Sequence, residues 1–510
     1  MKSQSGDRTA QALAVAFALS FGLFGLVVIK PESLPVGMQM IRDVIAHPLF
    51  FIPLVVVCIG SGLALLSLKI AKHNSDRRLR AKFADANDRL IRPLRLHEIT
   101  DTSLQHFASL SDITARIHFL ARMGDEGAVQ LVDCIIAATM STRASDIHIE
   151  PGMESVQVKY RIDGVLTDIG DYPKMVHNRV ITRLRVMSNL TIYKKGQPQD
   201  GRIDVRLGNR TLDARLSIMP TLNGEKAVIR VFESGDHDFE LAKLGMTPAT
   251  FEQYSDLLMR PHGTILLTGP TGSGKTTTLY ASVREIIKKR GERTNIITIE
   301  DPIENEILGV NQVQVNPVRE LSFAQGLRSI LRQDPDVIMV GEVRDRETAD
   351  ICVRAGMTGH LVISSIHAES SVSVFNRLIE MGLESFLVSS AISCIVAQRL
   401  VRRNCPHCIK PYIPPLQALK TLKIPAGESI VYQKGVGCPK CNDRGFLGRI
   451  GIFELLIVDE ELRGLLKQKA PTQDLQDTAR RTGMRSLLDD GMDKVRSGVI
   501  DVEELARVLG

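Results

Sequence analysis

No tryptophan occurs in the 510 residues, and Phe and Tyr bring the aromatic share to only 5%. Single-stranded nucleic acid is held largely by bases stacking on aromatic rings, so a helicase or strand-binding role finds few platforms here and no nucleic-acid partner is expected. Charge of one sign is scarce as well: 64 Lys and Arg face 58 Asp and Glu, a net of +6. Much of that excess lies in Lys69, Lys72, Arg77, Arg78, Arg80 and Lys82, a cluster better matched to anionic lipid than to nucleic acid. Repeats and low-complexity segments are missing too, and the length suits two or three independent cores.

Two stretches lack charge altogether, residues 10–29 and 49–68. At 1.5 Å per residue each helix would span about 30 Å, enough for a bilayer core. The expectation is an N-terminal transmembrane helical hairpin with its basic juxtamembrane segment over residues 1–82. The cations after the second run keep both ends cytoplasmic by the positive-inside rule. A cleaved signal peptide is the alternative for the first run, but its apolar core is long and a second run follows.

The strongest positive signal is GPTGSGKT over residues 269–276. An apolar strand, Thr264 to Thr268, precedes it and the helical TTTLYASVREII follows, the context that a phosphate-binding loop requires. Gly269, Pro270, Thr271, Gly272, Ser273 and Gly274 would wrap a phosphate in backbone N–H groups. Lys275 would reach the β- and γ-phosphates of ATP, and Thr276, followed by Thr277, would hold Mg²⁺. Two further apolar strands end in acids, Ile296 to Ile299 before Glu300 and Asp301, and Val337 to Val340 before Glu342. In a parallel sheet those ends share the edge that carries the phosphate loop. Glu342 is the candidate for polarising water, and Glu300 and Asp301 for organising Mg²⁺. A third run delivers His367 to the same edge, either as a sensor of the γ-phosphate or as a packed residue.

Cys405, Cys408, Cys438 and Cys441 form two paired CxxC knuckles separated by 29 residues. Four thiolates of this spacing suit one tetrahedral Zn²⁺, a closed structural site rather than a catalytic one. Two disulfides or free thiols are the alternative, and disulfides are rare in the compartment of a nucleotide-driven enzyme. Cys58, Cys134, Cys352 and Cys394 sit in apolar stretches and read as small buried residues. Asp146, His148 and Glu150 resemble a metal triad, but their alternation with Ile147 and Ile149 is that of a half-buried strand.

Seven motifs, ASDIHIEP (144–151), YRIDG (160–164), QDGRI (199–203), GPTGSGKTTTLY (269–280), ITIEDPIE (297–304), LRQDPDVIMVGEVRD (331–345) and TGHLVISSIHA (358–368), resemble in kind and order those of the secretion ATPases of type II secretion and type IV pilus assembly. The resemblance covers about residues 125–510. It implies an α/β fold: a RecA-like P-loop ATPase core (236–403), an α+β N-terminal regulatory domain with its linker (83–235), a tetracysteine zinc subdomain (404–446) and a C-terminal helical segment (447–510). It further implies a homohexameric, Mg-ATP hydrolysing motor that assembles a pilus or pseudopilus through an inner-membrane platform protein, with the ATPase domain cytoplasmic. Arg202 and Arg215 resemble arginines that approach the γ-phosphate from the regulatory domain, Arg328, Arg332 and Arg344 fall in or beside the second nucleotide motif, and His360 and His367 match a histidine box. A DNA-transport or conjugation ATPase and a pilus retraction ATPase are the alternatives; retraction members generally lack the zinc subdomain.

Overall fold

Residues 97–99, 107, 109–207, 210–233, 239–291, 293–424 and 430–510 are described by the computed structural model. The charge-free runs, the basic cluster after them and Cys58 lie outside these residues. Among the described residues no helix is long and apolar enough to cross a membrane. The longest, Gly124–Thr142, carries Glu126 and Asp133 and packs one face on a sheet. The expected inner-membrane location through two spans is therefore corrected, since no described helix supports it.

The first sheet has the order β1-β5-β6-β7-β2-β3-β4, with β1 His97–Ile99, β2 Ala144–Pro151, β3 Ser155–Ile162, β4 Val165–Pro173, β5 Gln199–Leu207, β6 Arg210–Thr221 and β7 Gly224–Glu233. All its pairs are antiparallel except β1 with β5. Helices α1 (Leu110–Leu120), α2 (Gly124–Thr142) and α3 (Lys174–Met187) join it around one core that includes Ile117, Leu131, Ile147, Tyr160, Val180 and Ile229. Ser109 and Asp112 close a capping box at the start of α1, satisfying donors that a helix N-terminus otherwise leaves open. In β2, Ile147 and Ile149 are buried while Glu150 takes Lys159 at 2.9 Å and Lys226 at 2.6 Å, and Asp146 takes Arg230 at 3.0 Å. Both acids of the triad-like set are thus taken up by Lys and Arg of neighbouring strands.

Those two lysines hold the Glu150 carboxyl down from 4.5 to about 2. A carboxyl depressed on folding stabilises fully above its unfolded value and loses that contribution as pH falls through the folded one. Glu150→Gln is expected to flatten the acid limb of the unfolding curve between pH 4.5 and about 2, measured by circular dichroism. An unchanged limb would contradict the pairing.

The second sheet has the order β10-β9-β11-β12-β8-β13-β16. Its strands are β8 Gly263–Thr268, β9 Ile296–Glu300, β10 Asn311–Gln314, β11 Val337–Val340, β12 Leu361–Ile366, β13 Ile392–Asn404 and β16 Phe446–Ile457. Every neighbouring pair is parallel except β13 with β16. Strands β8, β9, β11 and β12 are buried along their whole length, the signature of a sheet covered on both faces. Helices α4 (Pro248–Leu258) and α5 (Lys275–Arg290) share one core with it. Helices α6 (Phe323–Ile330), α7 (Arg346–Met357), α8 (Ser373–Glu380) and α9 (Ser385–Ala391) share another. In the connection between the two sheets, residues 239–244 are described, and Leu241 among them is buried in the first of these cores.

The four cysteines occupy the connection between β13 and β16, with the small antiparallel pair β14 (Ile409–Pro411) and β15 (Gln433–Gly435) and helix α10 (Leu416–Thr421). From 447 onward the expectation was helix, yet β16 comes first, because its apolar run finds a partner in β13 that no local pattern reveals. Four helices follow, α11 Glu460–Lys467, α12 Thr472–Arg481, α13 Leu487–Arg496 and α14 Val502–Leu509. Glu504 in α14 is fully buried and accepts from the Arg402 backbone N–H at 2.9 Å, the Arg402 guanidinium at 2.7 Å and Arg507 at 2.6 Å. Arg402 also lies 4.0 Å over the Phe446 ring. Arg402 therefore ties β13 to α14.

Candidate nucleotide and metal sites

Strand β8, the loop from Gly269 to Gly274 and helix α5 build the expected strand, turn and helix. Gly274 caps α5 in the left-handed region at φ 90°, where a Cβ would lie 2.8 Å from the Gln398 amide nitrogen. At Gly269 a Cβ would meet the Gln398 carbonyl at 2.4 Å. Both positions require glycine because β13 passes directly beneath the loop. Lys275 donates to the Gly269 and Pro270 carbonyls at 2.7 and 3.1 Å, and burial pushes its ammonium below the usual lysine value. A part-buried cation with only carbonyl partners is set to exchange them for phosphate oxygens. Lys275→Ala is expected to weaken ATP binding by about tenfold or more, read by titration with a fluorescent nucleotide; binding within twofold of wild type would sink this role.

A cavity of about 370 Å³ opens over this loop, lined by residues from Thr271 to Thr277 and by Glu300, Asp301, Glu342 and His367. The ends of β9, β11 and β12 converge there as their parallel order dictates. Gly341 N–H donates to the Ile299 carbonyl at 2.8 Å, Ser365 Oγ to the Gly341 carbonyl at 2.8 Å, and Val343 N–H to the Ser365 carbonyl at 2.8 Å. Glu342 is thereby fixed between neighbours. It pairs with Arg344 and stands 3.7 Å from His367 Nε2. Ala368 and the Thr268 hydroxyl exchange hydrogen bonds at 3.0 Å, tying the loop after β12 to the start of the phosphate loop.

The two acids after β9 have different surroundings. Asp301 is 41% exposed and 3.5 Å from Arg344. Glu300 is 3% exposed and accepts from Thr298 at 2.6 Å, Gln312 at 3.0 Å and Tyr280. A carboxylate already holding three donors has little capacity left for metal-bound water, whereas Asp301, more exposed and facing only Arg344 at 3.5 Å among these contacts, keeps more of its acceptor sites open. With the Thr276 hydroxyl it offers the hard oxygen donors that Mg²⁺ favours.

Of the candidate arginines, Arg215 stands 3.9 Å from Glu304, a cavity-lining residue, and 4.8 Å over the Phe232 ring. Arg202 lies opposite it on β5 but is held by Asp204 at 3.2 Å and Asp213 at 2.7 Å, outside the cavity lining. Arg328 pairs with Glu347, and neither it nor the exposed Arg332 lines the cavity. His360 precedes the far end of β12 and bonds the Ala355 carbonyl at 3.2 Å, roughly 20 Å of strand away from His367. Sequence reasoning missed Tyr280, Glu304, Leu400 and Arg449, all in the lining. Helical spacing from Thr276 signals Tyr280; Leu400 and Arg449 arrive through the register of β13 and β16, which has no local signature.

The sulfurs of Cys405, Cys408, Cys438 and Cys441 lie within 4.8 Å of one another. The distances are 3.8 Å for Cys405 to Cys438, 3.9 Å for Cys408 to Cys441 and 3.7 Å for Cys438 to Cys441. Ligands about 2.3 Å from zinc in a tetrahedron stand roughly 3.8 Å apart, so the donor set fits Zn²⁺. None of the four is joined in a disulfide in this structure. Backbone N–H groups of Gly437, Cys438 and Gly445 point at sulfur from 3.3 Å, as expected around anionic thiolates. Arg444, three residues after Cys441, pairs with Asp163 in the β3–β4 turn of the first sheet at 3.1 Å. Cys134, Cys352 and Cys394 are buried as read.

Residues 122–507 match the family described as "Type II/IV secretion system protein". The chain is 42% identical over 413 residues to the "Type II secretion system ATPase E" of Vibrio cholerae, covering 81% of each chain. It is 42% identical over 398 residues to the "Type IV pilus assembly ATPase PilB" of Myxococcus xanthus, covering 77% of this chain and 70% of that protein. Among solved structures, the fold is that of the Legionella pneumophila ATPase DotB, with a TM-score of 0.55 at 21% identity, covering 73% of this chain and 94% of that one.

Proposed function

Since this chain belongs to the Type II/IV secretion system protein family, we propose that it is an ATP-hydrolysing motor of type II secretion or type IV pilus assembly, working as a homohexamer against a membrane platform protein. The observation that carries this reading is the single cavity edge at which the phosphate loop, Glu342, Asp301 and His367 meet. ATP would seat its phosphates on the loop's backbone N–H groups and the α5 N-terminus, with Lys275 leaving its two carbonyls for the β- and γ-phosphates. Thr276 and Asp301 would hold Mg²⁺, which supplies charge neutralisation along the phosphates when bound. Glu342 orients and polarises the attacking water, and His367 sits within reach of it to register the γ-phosphate. Arg215, which does not itself line the cavity but pairs with the lining Glu304, would join the regulatory sheet to the reaction, so that loss of the γ-phosphate changes what the sheet is held by. The zinc subdomain supports an assembly rather than a retraction motor.

Turnover by the full-length protein, followed as phosphate release, is expected to require Mg²⁺ and ATP and to be indifferent to added DNA. No hydrolysis by the wild type, alone or with platform protein, would reject the motor reading. Stimulation by DNA would favour a DNA-transport ATPase instead.

A further inference from the structure

Tyr280 is 1% exposed and lies on α5, one helical turn past Thr276. Its hydroxyl donates to Glu300 and accepts backbone N–H groups from Glu304 at 3.0 Å and Asn305 at 3.3 Å. Burial, reinforced by Glu300, raises its pKa well above the usual phenol range, so the hydroxyl keeps its proton and remains a donor. Glu300 is closed on its other side by Gln312 Nε2 at 3.0 Å. That amide nitrogen also donates to the Asn305 carbonyl at 3.0 Å, while Gln312 Oε1 accepts from the Ile307 N–H at 2.7 Å. Both ends of the 301–305 segment, which carries Asp301 and Glu304, are therefore held by side chains of one cluster: Glu300 at the end of β9, Gln312 of β10 and Tyr280 of α5. On its other face the Tyr280 ring meets Phe239 edge-on, with centroids 5.6 Å apart, and Arg284 of α5 lies 5.2 Å over that same Phe239 ring. Phe239 is the first described residue after the segment that leaves the regulatory sheet.

We propose that Tyr280 is a positioning residue for the metal-side acids: through Glu300 and the 304–305 backbone it sets where Asp301 and Glu304 stand relative to the phosphate loop, and through Phe239 it ties that setting to the interdomain connection. The buried Glu300 is then an anchor, and Asp301 is the acid it delivers. This rests on the ATPase reading above.

The test is Tyr280→Phe in the full-length protein. The ring and its contact with Phe239 are kept, while one donor to Glu300 and one acceptor for two N–H groups are lost. Displacing a group that orients a metal ligand typically costs 10- to 100-fold, so kcat is expected to fall by about tenfold and the Mg²⁺ concentration for half-maximal rate to rise by about fivefold or more. KM for ATP at saturating Mg²⁺, and binding of a fluorescent ADP analogue without Mg²⁺, should stay within about threefold, because the phosphate loop is untouched. A merely structural residue would lower active protein without moving the Mg²⁺ midpoint. Gln312→Ala, on the edge strand β10, loosens the same cluster from the opposite side and is expected to shift the midpoint in the same direction; it carries the test if Tyr280→Phe does not fold. Unchanged kcat and Mg²⁺ midpoint in either folded variant overturns the proposal. A wild type without turnover defeats the ATPase reading itself.

Discussion

Glu342→Gln is expected to lower kcat by roughly 10²- to 10⁴-fold, the range for removing a positioned general base, while ATP binding stays near that of wild type. The substitution keeps the shape of the side chain and removes its charge. Glu342 sits after β11 behind backbone bonds from neighbouring strands, so the swap leaves the frame in place. What it alters is the partnership with Arg344 and the approach of His367 at 3.7 Å. An acceptor able to receive a proton from water becomes an amide that cannot, and the guanidinium beside it is left with Asp301 as its carboxylate partner. The check is single-turnover phosphate release alongside equilibrium nucleotide binding. Turnover within a few-fold of wild type would show that another group activates water, and weakened binding would show that Glu342 acts on the ground state instead.

Cys441→Ser is expected to take zinc from about one ion per chain to nearly none, because apparent binding energies of structural zinc sites, about 10–16 kcal/mol, are folding energy for the segment they close. Cys441 is the demanding member of the set. Its sulfur receives N–H groups from Cys438 and Gly445 and stands against two other sulfurs. The segment around it has little else: its apolar cluster consists of the cysteines themselves with Leu447 packed against them. Proteolysis is expected to open the chain between β13 and β16, whereas the nucleotide cavity, whose parallel strands do not depend on that connection, should retain Mg²⁺-free nucleotide binding. Metal analysis of protein purified without chelator decides the first point. Full zinc in the serine variant, or no zinc in the wild type, would remove the site.

The elements legible in the sequence are those whose signal is local. Gly269 to Thr276 is a contiguous motif between an apolar run and a helix, and each acid of the second sheet follows four or five buried residues that announce a strand. The cysteine knuckles are legible for the same reason. What escaped depends on register between distant segments. Strand β16 is a strand because β13 pairs with it over most of its length, and Arg449 reaches the cavity only through that pairing. The two histidines of one motif are alike in sequence, but β12 separates them to opposite ends of the sheet, leaving His367 alone at the site. Glu300 and Asp301 are adjacent and chemically similar; the difference between them is made by Gln312 from an edge strand and Tyr280 from a helix, neither of which a pattern of spacing can supply. Arg202 failed to enter the cavity lining because two aspartates on neighbouring positions of the sheet satisfy it first.

The Arg444–Asp163 pair bears on which movements the chain permits. Its side chains are 19% and 8% exposed, so water screens it little, whereas Arg215 and Glu304 meet at 3.9 Å with 46% and 32% exposure. An ion pair shielded from water resists competition by solvent and salt, while one that water reaches exchanges its partners readily. Added salt is therefore expected to loosen the Arg215–Glu304 contact before the Arg444–Asp163 pair, so the cysteine-bearing connection is the firmer of the two places at which the sheets are held together.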